Sequence, residues 1–445
     1  MCSKLINILK TKMRKGVLII VLTIAFVPAL FAQRLITADN AVTIALKNNY
    51  DILISRNDAD IAKMNNTQGN AGMLPAIAVN GSDNYTINNS FIKQSSGTEI
   101  KSSNARTNNI NTNIALNWTL YDGGKMFVTK NKLSEIEALG EIQYRNQILQ
   151  TVYDVVVAYF NVVKQQQQLA SINKVISYNQ ERVTILQTSF NSGSSAKNNL
   201  LQAKIDLNVS KENAITQQST ILSAKRNLNQ VLSQNIDSTT YDVIDSIPLN
   251  YKPDKADLLN KIYLNNTTLL SMQKEIDIAK LSVEEFKANR LPRVNFNTSY
   301  DFQFTKNTSG TTLLNRAYGP QIGGSISIPI YQGRNLSRLV ATSKIQLQSA
   351  EYDLENVKIQ VNTQLQNALT DFENQQNLLS IEQENTDLVK ENLEISMQRL
   401  RFGQTTALEV RQAQQSYEDS FTRLINFKYN LKVAETKLRQ LIAGL

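Results

Sequence analysis

Few residues in this sequence are spaced for bond-making chemistry. Paired carboxylates are a common acid–base device, and Glu284-Glu285 is the obvious candidate. Adjacent positions on a helix point apart, since facing positions lie three or four residues apart, so these two form no shared site. Gly123-Gly124-Lys125 has residue types of a phosphate-binding loop without its spacing, and a strand-to-helix turn explains it better. The 445 residues include no histidine, which excludes Ser-His and Cys-His pairs, histidine metal clusters and a histidine pH switch. The single cysteine, Cys2, precedes the first long apolar run, so no disulfide framework, iron–sulfur cluster or zinc ribbon is expected. The expectation is a protein that is not an enzyme, with no catalytic residue, cofactor or metal.

The elements that would otherwise position such groups are unusual. Residues 1–16 carry Lys4, Lys10, Lys12, Arg14 and Lys15 and no acid, followed by the apolar run Val17 to Phe26, Pro28 and a small-residue stop at Ala32. This is the pattern of a signal peptide over residues 1–32, cut between Ala32 and Gln33. The run is short of the roughly 20 apolar residues of a spanning helix. No lipoprotein cysteine stands at the cut. Without the five leader cations, 47 Lys+Arg become 42 against 38 Asp+Glu, so the formal charge falls from +9 to +4. No basic block interleaved with aromatics remains, and no nucleic-acid partner is expected.

The rest reads as one unit written twice. An offset of 217 aligns Asn48-Asn49 with Asn265-Asn266, Asp60-Ile61-Ala62-Lys63 with Asp277-Ile278-Ala279-Lys280, and Leu74-Pro75 with Leu291-Pro292. Beyond a loop seven residues shorter in the second copy, an offset of 210 pairs Tyr121 with Tyr331, Gly193 with Gly403, and Gln202-Ala203 with Gln412-Ala413. Two gap-free registers with the same Pro and Gly punctuation indicate a duplicated fold. The expected organisation is a first repeat over 33–235 (helices 37–73, strands 76–121, helices 125–235), an equatorial connector over 236–255, and a second repeat over 256–445 (helices 256–290, strands 293–331, helices 335–443).

Neither Gly nor Pro interrupts residues 141–192 or 334–402. Apolar residues recur there at coiled-coil spacing: Ile148, Val152, Val155, Tyr159, Val162, Leu169, Ile172 and Ile176 in the first copy, and Leu347, Ala350, Leu354, Val357 and Val361 in the second. A helix from Lys125 to Phe190 would be about 99 Å long. Helices Asp51–Met73 and Ala196–Asn235 together would span about 95 Å, so two short helices stacked end to end could run beside one long one. The counterparts are Thr267–Arg290 and Thr406–Ala443 beside Asn335–Leu400.

Between the helices lie four alternating segments. Ile110, Thr112, Ile114, Leu116, Trp118 and Leu120 alternate with Asn111, Asn113, Ala115, Asn117 and Thr119. Val294, Phe296, Thr298, Tyr300, Phe302 and Phe304 alternate with Asn295, Asn297, Ser299, Asp301 and Gln303. Weaker versions contain Ile77, Val79, Tyr85 and Ile87, and Ile322, Ile326, Ile328 and Ile330. This is the outer-membrane strand signature. A soluble sandwich gives the same alternation with its faces reversed in meaning, but the leader and the helix lengths favour the membrane. Four strands cannot close alone, and an open edge in lipid leaves backbone groups unpaired. Two chains would supply eight strands and three would supply twelve; an open duct favours three, because small barrels fill with side chains. Polar loops are expected over Asn88–Asn109 and Lys306–Ala317. Trp118, Tyr121 and Tyr331 are placed for an interface girdle, although buried core aromatics would look the same. The expected fold class is mainly α, with a small membrane β part.

The chain resembles the TolC-like outer-membrane factor family in several motifs. The opening Leu35-Ile36-Thr37-Ala38-Asp39-Asn40-Ala41, continuing to Ala45-Leu46-Lys47-Asn48-Asn49, is similar to that family's first-helix motif. Trp118-Thr119-Leu120-Tyr121-Asp122-Gly123-Gly124 and Pro329-Ile330-Tyr331-Gln332-Gly333-Arg334 resemble its strand-to-helix motifs. Phe190-Asn191-Ser192-Gly193 and Arg401-Phe402-Gly403-Gln404-Thr405 resemble its hairpin tips. The resemblance implies a homotrimer in outer-membrane lipid of a Gram-negative bacterium, with a twelve-stranded β-barrel and a helical barrel through the periplasm. It implies an exit duct for an efflux pump or type I secretion system, fed by a periplasmic adaptor and an inner-membrane transporter. The adaptor would meet the tips at Phe190, Gly193, Ser194, Arg401, Phe402, Gly403, Gln404 and Thr405. The family's two constriction acids fall on Glu409 and Gln412; the glutamine departs from the pattern, leaving one carboxylate per chain. The competing reading is a secreted structural or adhesive coiled coil, which would explain the heptads but not four staves.

Overall fold

The computed structural model describes residues 35–235 and 239–445; the expected signal peptide lies outside the described residues. In chain order the elements are β1 (Leu35–Ile36), α1 (Ala38–Asn48), α2 (Tyr50–Asn65), β2 (Ala76–Lys93), β3 (Glu99–Tyr121), α3 (Lys125–Asn191), α4 (Lys197–Val231), β4 (Asp242–Val243), α5 (Lys255–Asn265), α6 (Thr267–Ala288), β5 (Arg293–Asn307), β6 (Leu314–Ser327), α7 (Asn335–Arg401) and α8 (Ala407–Leu441).

The absence of proline lets α3 and α7 each run 67 residues, about 100 Å. The shorter helices stack in pairs alongside, α2 on α4 and α6 on α8, giving four columns in the order α2/α4, α3, α6/α8, α7. Each stack is joined by one buried asparagine. Asn49 caps α2 by accepting from the N–H groups of Asp51 and Ile52, and its Nδ2 donates to the Val231 carbonyl at the end of α4 at 2.8 Å. Asn266 does the same for Thr268 and Leu269 and donates to the Leu441 carbonyl at 2.9 Å. A single amide thus satisfies orphan donors of one helix and an orphan acceptor of the next. The expected helix to Met73 instead stops at Asn65. The run Asn65-Asn66-Thr67 offers the backbone competing side-chain bonds, with Thr67 Oγ1 accepting from Asn70 N and Asn70 Nδ2 donating to the Asn65 carbonyl.

Two core clusters sit at this mid-height join. One gathers Val155, Tyr159, Val162 and Leu228 with Ala41 and Ala45; the other gathers Leu365, Leu369, Phe372 and Leu438 with Leu258 and Ile262. The expected seam through Ile148, Val152, Leu169, Ile172 and Ile176 is only half-buried. Being an inner column, α3 is covered on two sides, so burial spreads around it.

The four-stranded sheet is antiparallel throughout, in the order β2-β3-β5-β6. Register keeps like with like. Val79, Ile114, Tyr300 and Pro320 form one row, and Asn80, Asn113, Asp301 and Gly319 the next row on the opposite face. Strand order repeats column order, because β2 follows α2, β3 leads into α3, β5 follows α6 and β6 leads to α7. The long polar loop expected over Asn88–Asn109 is mostly strand: β2 runs to Lys93, β3 begins at Glu99, and only residues 94–98 turn. Ile87, Phe91, Ile92 and Ile100 keep the segment β-competent, and a register shift between Asn88 and Ser90 absorbs the irregularity. The loop expected over Lys306–Ala317 likewise shrinks to residues 308–313. The last strand stops at Ser327, before Ile328 and Ile330, because Pro329 cannot donate to a ladder.

Replacing Asn49 or Asn266 by Ala is expected to cost about 1–3 kcal/mol, from a lost cap and a stranded carbonyl. Hydrogen exchange should localise the loosening to the first turn of α2 or α6, and protection there equal to wild type would contradict the role.

Candidate functional site

One cleft, where the sheet meets the helices, brings Lys125 and Glu285 together at 3.7 Å beside Asp122 and Arg293. The other groups singled out from the sequence lie apart, at the two ends of the long helices. At the strand end, Trp118 and Tyr121 are exposed near the bottom of β3, Trp118 Nε1 donating to the Met73 carbonyl at 2.9 Å. Tyr331 is exposed in the connection between β6 and α7 rather than on a strand.

At the other end both hairpins turn alike. Helix α3 closes with the Gly193 N–H on the Phe190 carbonyl at 3.0 Å and the Ser194 N–H on the Ser189 carbonyl at 2.9 Å. Helix α7 closes with Gly403 N–H on Leu400 at 3.1 Å and Gln404 N–H on Arg399 at 2.8 Å. Gly193 and Gly403 sit at φ 76° and 68°, the left-handed position this motif needs. An Arg401–Glu181 ion pair ties the second tip to α3, nine residues before Phe190. Phe402 projects into solvent and Arg399 reaches back to the Gln404 carbonyl.

Glu409 lies exposed in the first turn of α8, and Gln412, three residues on, is exposed too. The Glu409 N–H donates to Thr406 Oγ1 at 3.2 Å, while its carboxylate accepts from the Thr405 and Thr406 hydroxyls. Thr406-x-x-Glu409 thus has the sequence of a capping box and caps α8 through Thr406, with the carboxylate held by the two hydroxyls rather than by the Thr406 N–H.

Between the tips and mid-height the apolar packing of Val175, Leu393, Met397 and Val410 and of Leu186 and Leu200 is interrupted by buried polar groups, which the apolar spacing did not anticipate. Arg182 is 2% exposed and is held by Asp206 and by the Gln414 amide oxygen. Asp206 also pairs with Arg411 at 3.4 Å, so one carboxylate ties α3, α4 and α8. Higher up, buried Glu382 accepts from Ser420 Oγ at 2.5 Å, Asn385 Nδ2 at 3.0 Å and both Nε and Nη2 of Arg423 at 3.1 Å. Burial pushes its carboxyl up, but the bonds from Arg423, Ser420 and Asn385 outweigh that and hold it below the usual range. A signal existed: Val175, Asn179, Arg182 and Leu186 keep the 4-3-4 seam spacing, so a charged residue occupied a core position.

Among the described residues no group of acids is placed to hold a metal ion, and no helix is long and apolar enough to cross a membrane. Columns of long helix carrying a small sheet, apolar on one face, define a class: an outer-membrane conduit. The family follows from the sequence, since residues 41–234 and 258–444 match the outer membrane efflux protein family, and the chain belongs to it. Outer membrane protein TolC of Escherichia coli is 21% identical over 419 residues, covering 89% of this chain and 80% of that one. Outer membrane efflux protein BepC of Brucella suis is 22% identical, covering 73% of this chain and 70% of BepC. The Campylobacter jejuni CmeC outer membrane channel shares the fold at a TM-score of 0.75 and 18% identity, over 92% of this chain and 85% of that one. The chain is therefore an outer-membrane efflux channel by family. A secreted adhesive coiled coil is ruled out.

Because the Glu382 carboxyl titrates lower folded than unfolded, its stabilisation is fully present above the ordinary glutamate value and is lost as pH falls from there through the lowered folded value. Glu382→Gln should weaken the fold at neutral pH yet lose less on acidification than wild type, as followed by chemical unfolding at pH 7 and pH 3.5. Equal acid sensitivity would contradict the assignment.

Proposed function

We propose that three copies close head to tail into a single duct, and that cargo passes through it without any bond being made or broken. One observation carries this reading: each chain is open at the same two edges in both of its layers. Strands β2 and β6 each have a neighbour on one side only. The helix columns on those same sides carry nearly all the exposed apolar helix residues. On one side these are Leu53, Ile54 and Ile61 of α2 with Leu201, Ile205, Val209, Ile215 and Leu222 of α4; on the other, α7 shows Ile345, Tyr352, Ile359, Ile381, Leu388 and Ile395. The α7 stripe falls into two runs that each step by seven, Ile345-Tyr352-Ile359 and Ile381-Leu388-Ile395, the spacing of a coiled-coil seam awaiting a partner. The inner columns expose only Phe127, Phe190 and Leu408, at their ends.

Twelve strands then form the barrel, apolar face to lipid and asparagine rows to the lumen, with Trp118, Tyr121 and Tyr331 near the inner membrane–water boundary. Turns 94–98 and 308–313 face outside, and the helices form a tunnel through the periplasm. The paired lengths of α3 with α7 and α4 with α8, and the matching roles of Asn49 and Asn266, support an ancestral duplication dividing the chain into 33–235 and 256–445, joined by 236–255. The tips at Phe190, Gly193, Ser194 and Arg401 to Thr405 are the docking points for a periplasmic adaptor, which links the duct to an inner-membrane transporter. Glu409 and Gln412 face the constriction in this reading, so three Glu409 carboxylates attract cations and repel one another.

In a planar bilayer the purified protein is expected to conduct weakly and with cation preference. Glu409→Gln can keep the accepting oxygen of the capping box while removing the charge, so it should lower cation selectivity without unfolding α8. Unchanged selectivity would remove Glu409 from the constriction.

A further inference from the structure

The groove between α4 and α8 near the tips, floored by α3, holds a charge imbalance that the chain does not resolve. It encloses a cavity of about 260 Å³ whose lining includes Arg182, Asp206 and Arg411, with Leu186 and Leu408 on its apolar side. Two guanidiniums share one carboxylate there. Arg182 spends its Nη groups on Asp206 and Gln414, and its Nε–H, buried from water, has no acceptor. Arg411 is half exposed; beyond its Nε contact with Asp206, it has no partner among the described residues. The nearby acids are already committed, Glu181 to Arg401 and Glu409 to the two threonine hydroxyls. Burial lowers the Arg182 pKa, Asp206 opposes that, and the Arg411 charge lowers it further, so the pocket carries an uncompensated positive charge. Leu408 at the lip is 70% exposed, an aliphatic surface beside the cations.

We propose that this groove receives a carboxylate, presented by a helix of the periplasmic partner that carries Asp or Glu next to an aliphatic side chain. The acid completes the Arg411 guanidinium, whose planar fork matches a carboxylate, and the aliphatic neighbour covers the exposed Leu408. The charge complementarity selects this occupant: a basic helix would meet Arg182 and Arg411 head on, and a wholly apolar one would strand both cations. The inference rests on reading the tip end as the docking end, and its test separates the two.

The full-length protein in detergent is titrated with a fluorescent amphipathic helical peptide bearing a Leu-Glu face, and with the same peptide carrying Gln for Glu. Wild type should bind the Glu peptide about ten-fold more tightly, the scale of one charge-assisted pair. Arg411→Gln should erase that preference, and Arg411→Lys should keep part of it. Equal affinity of wild type for both peptides, or a preference surviving in Arg411→Gln, overturns the proposal. Acetate is titrated against chloride at constant ionic strength as a separate arm. If acetate stabilises wild type but not Arg411→Gln, while the peptides are not discriminated, the site belongs to a free carboxylate and the partner assignment fails. A partner pulled down equally by wild type and Arg411→Gln would sink the carboxylate groove and leave the duct standing.

Discussion

A sheet edge cannot be left open in hydrocarbon, because each unpaired N–H and C=O there costs several kcal/mol. That constraint organises this molecule. A single chain supplies four strands with a bare edge at β2 and another at β6, and a face of Val79, Ile114, Tyr300 and Ile322 that suits lipid. The helices below inherit the same incompleteness, since each strand is covalently continuous with a column and the strand order is the column order. Apolar stripes on α4 and α7 appear where the sheet is open. Sheet and helices are therefore incomplete on the same two sides, which is the feature the proposed ring of copies rests on.

Length is handled by two different means. The long helices need only an uninterrupted run of good formers. The stacked helices must meet at mid-height, the C-terminus of one on the N-terminus of the next, without losing backbone satisfaction, and Asn49 and Asn266 do this with one side chain each. Below that level the columns are held by apolar contact, as where Val175, Leu393, Met397 and Val410 meet, and by shared polar groups set among it. Arg182 with Asp206, and Glu382 with Arg423 and Ser420, are such pairings. Breaking a buried pairing by removing one partner is strongly destabilising, whereas an apolar pair could slide. The lower half is thereby fixed in register while keeping hydrophilic surfaces suited to a wet conduit.

Much of this was legible from spacing. The lack of proline in residues 125–191 and 335–401 announced the long helices, and strict alternation from Ile110 to Leu120 and Val294 to Phe304 announced the inner staves. Other features were hidden for physical reasons. Residues 88–109 looked like a loop because Asn and Ser dominate them, yet a hairpin reaching water needs only a sparse apolar row. Asn49 looked like part of a polar repeat until its amide was seen to span two helix ends. Arg182 and Glu382 sat at seam positions, but spacing does not say which cation will find which carboxylate. Thr406-x-x-Glu409 has the spacing of a helix N-terminus as well as the place of a charge ring, and the two roles are compatible.

Native mass spectrometry of the detergent-extracted protein measures the number of chains that close together. The account predicts a single species of three chains, lost on heating in denaturing detergent. A folded species of one chain, stable with β2 and β6 unpaired, would contradict it.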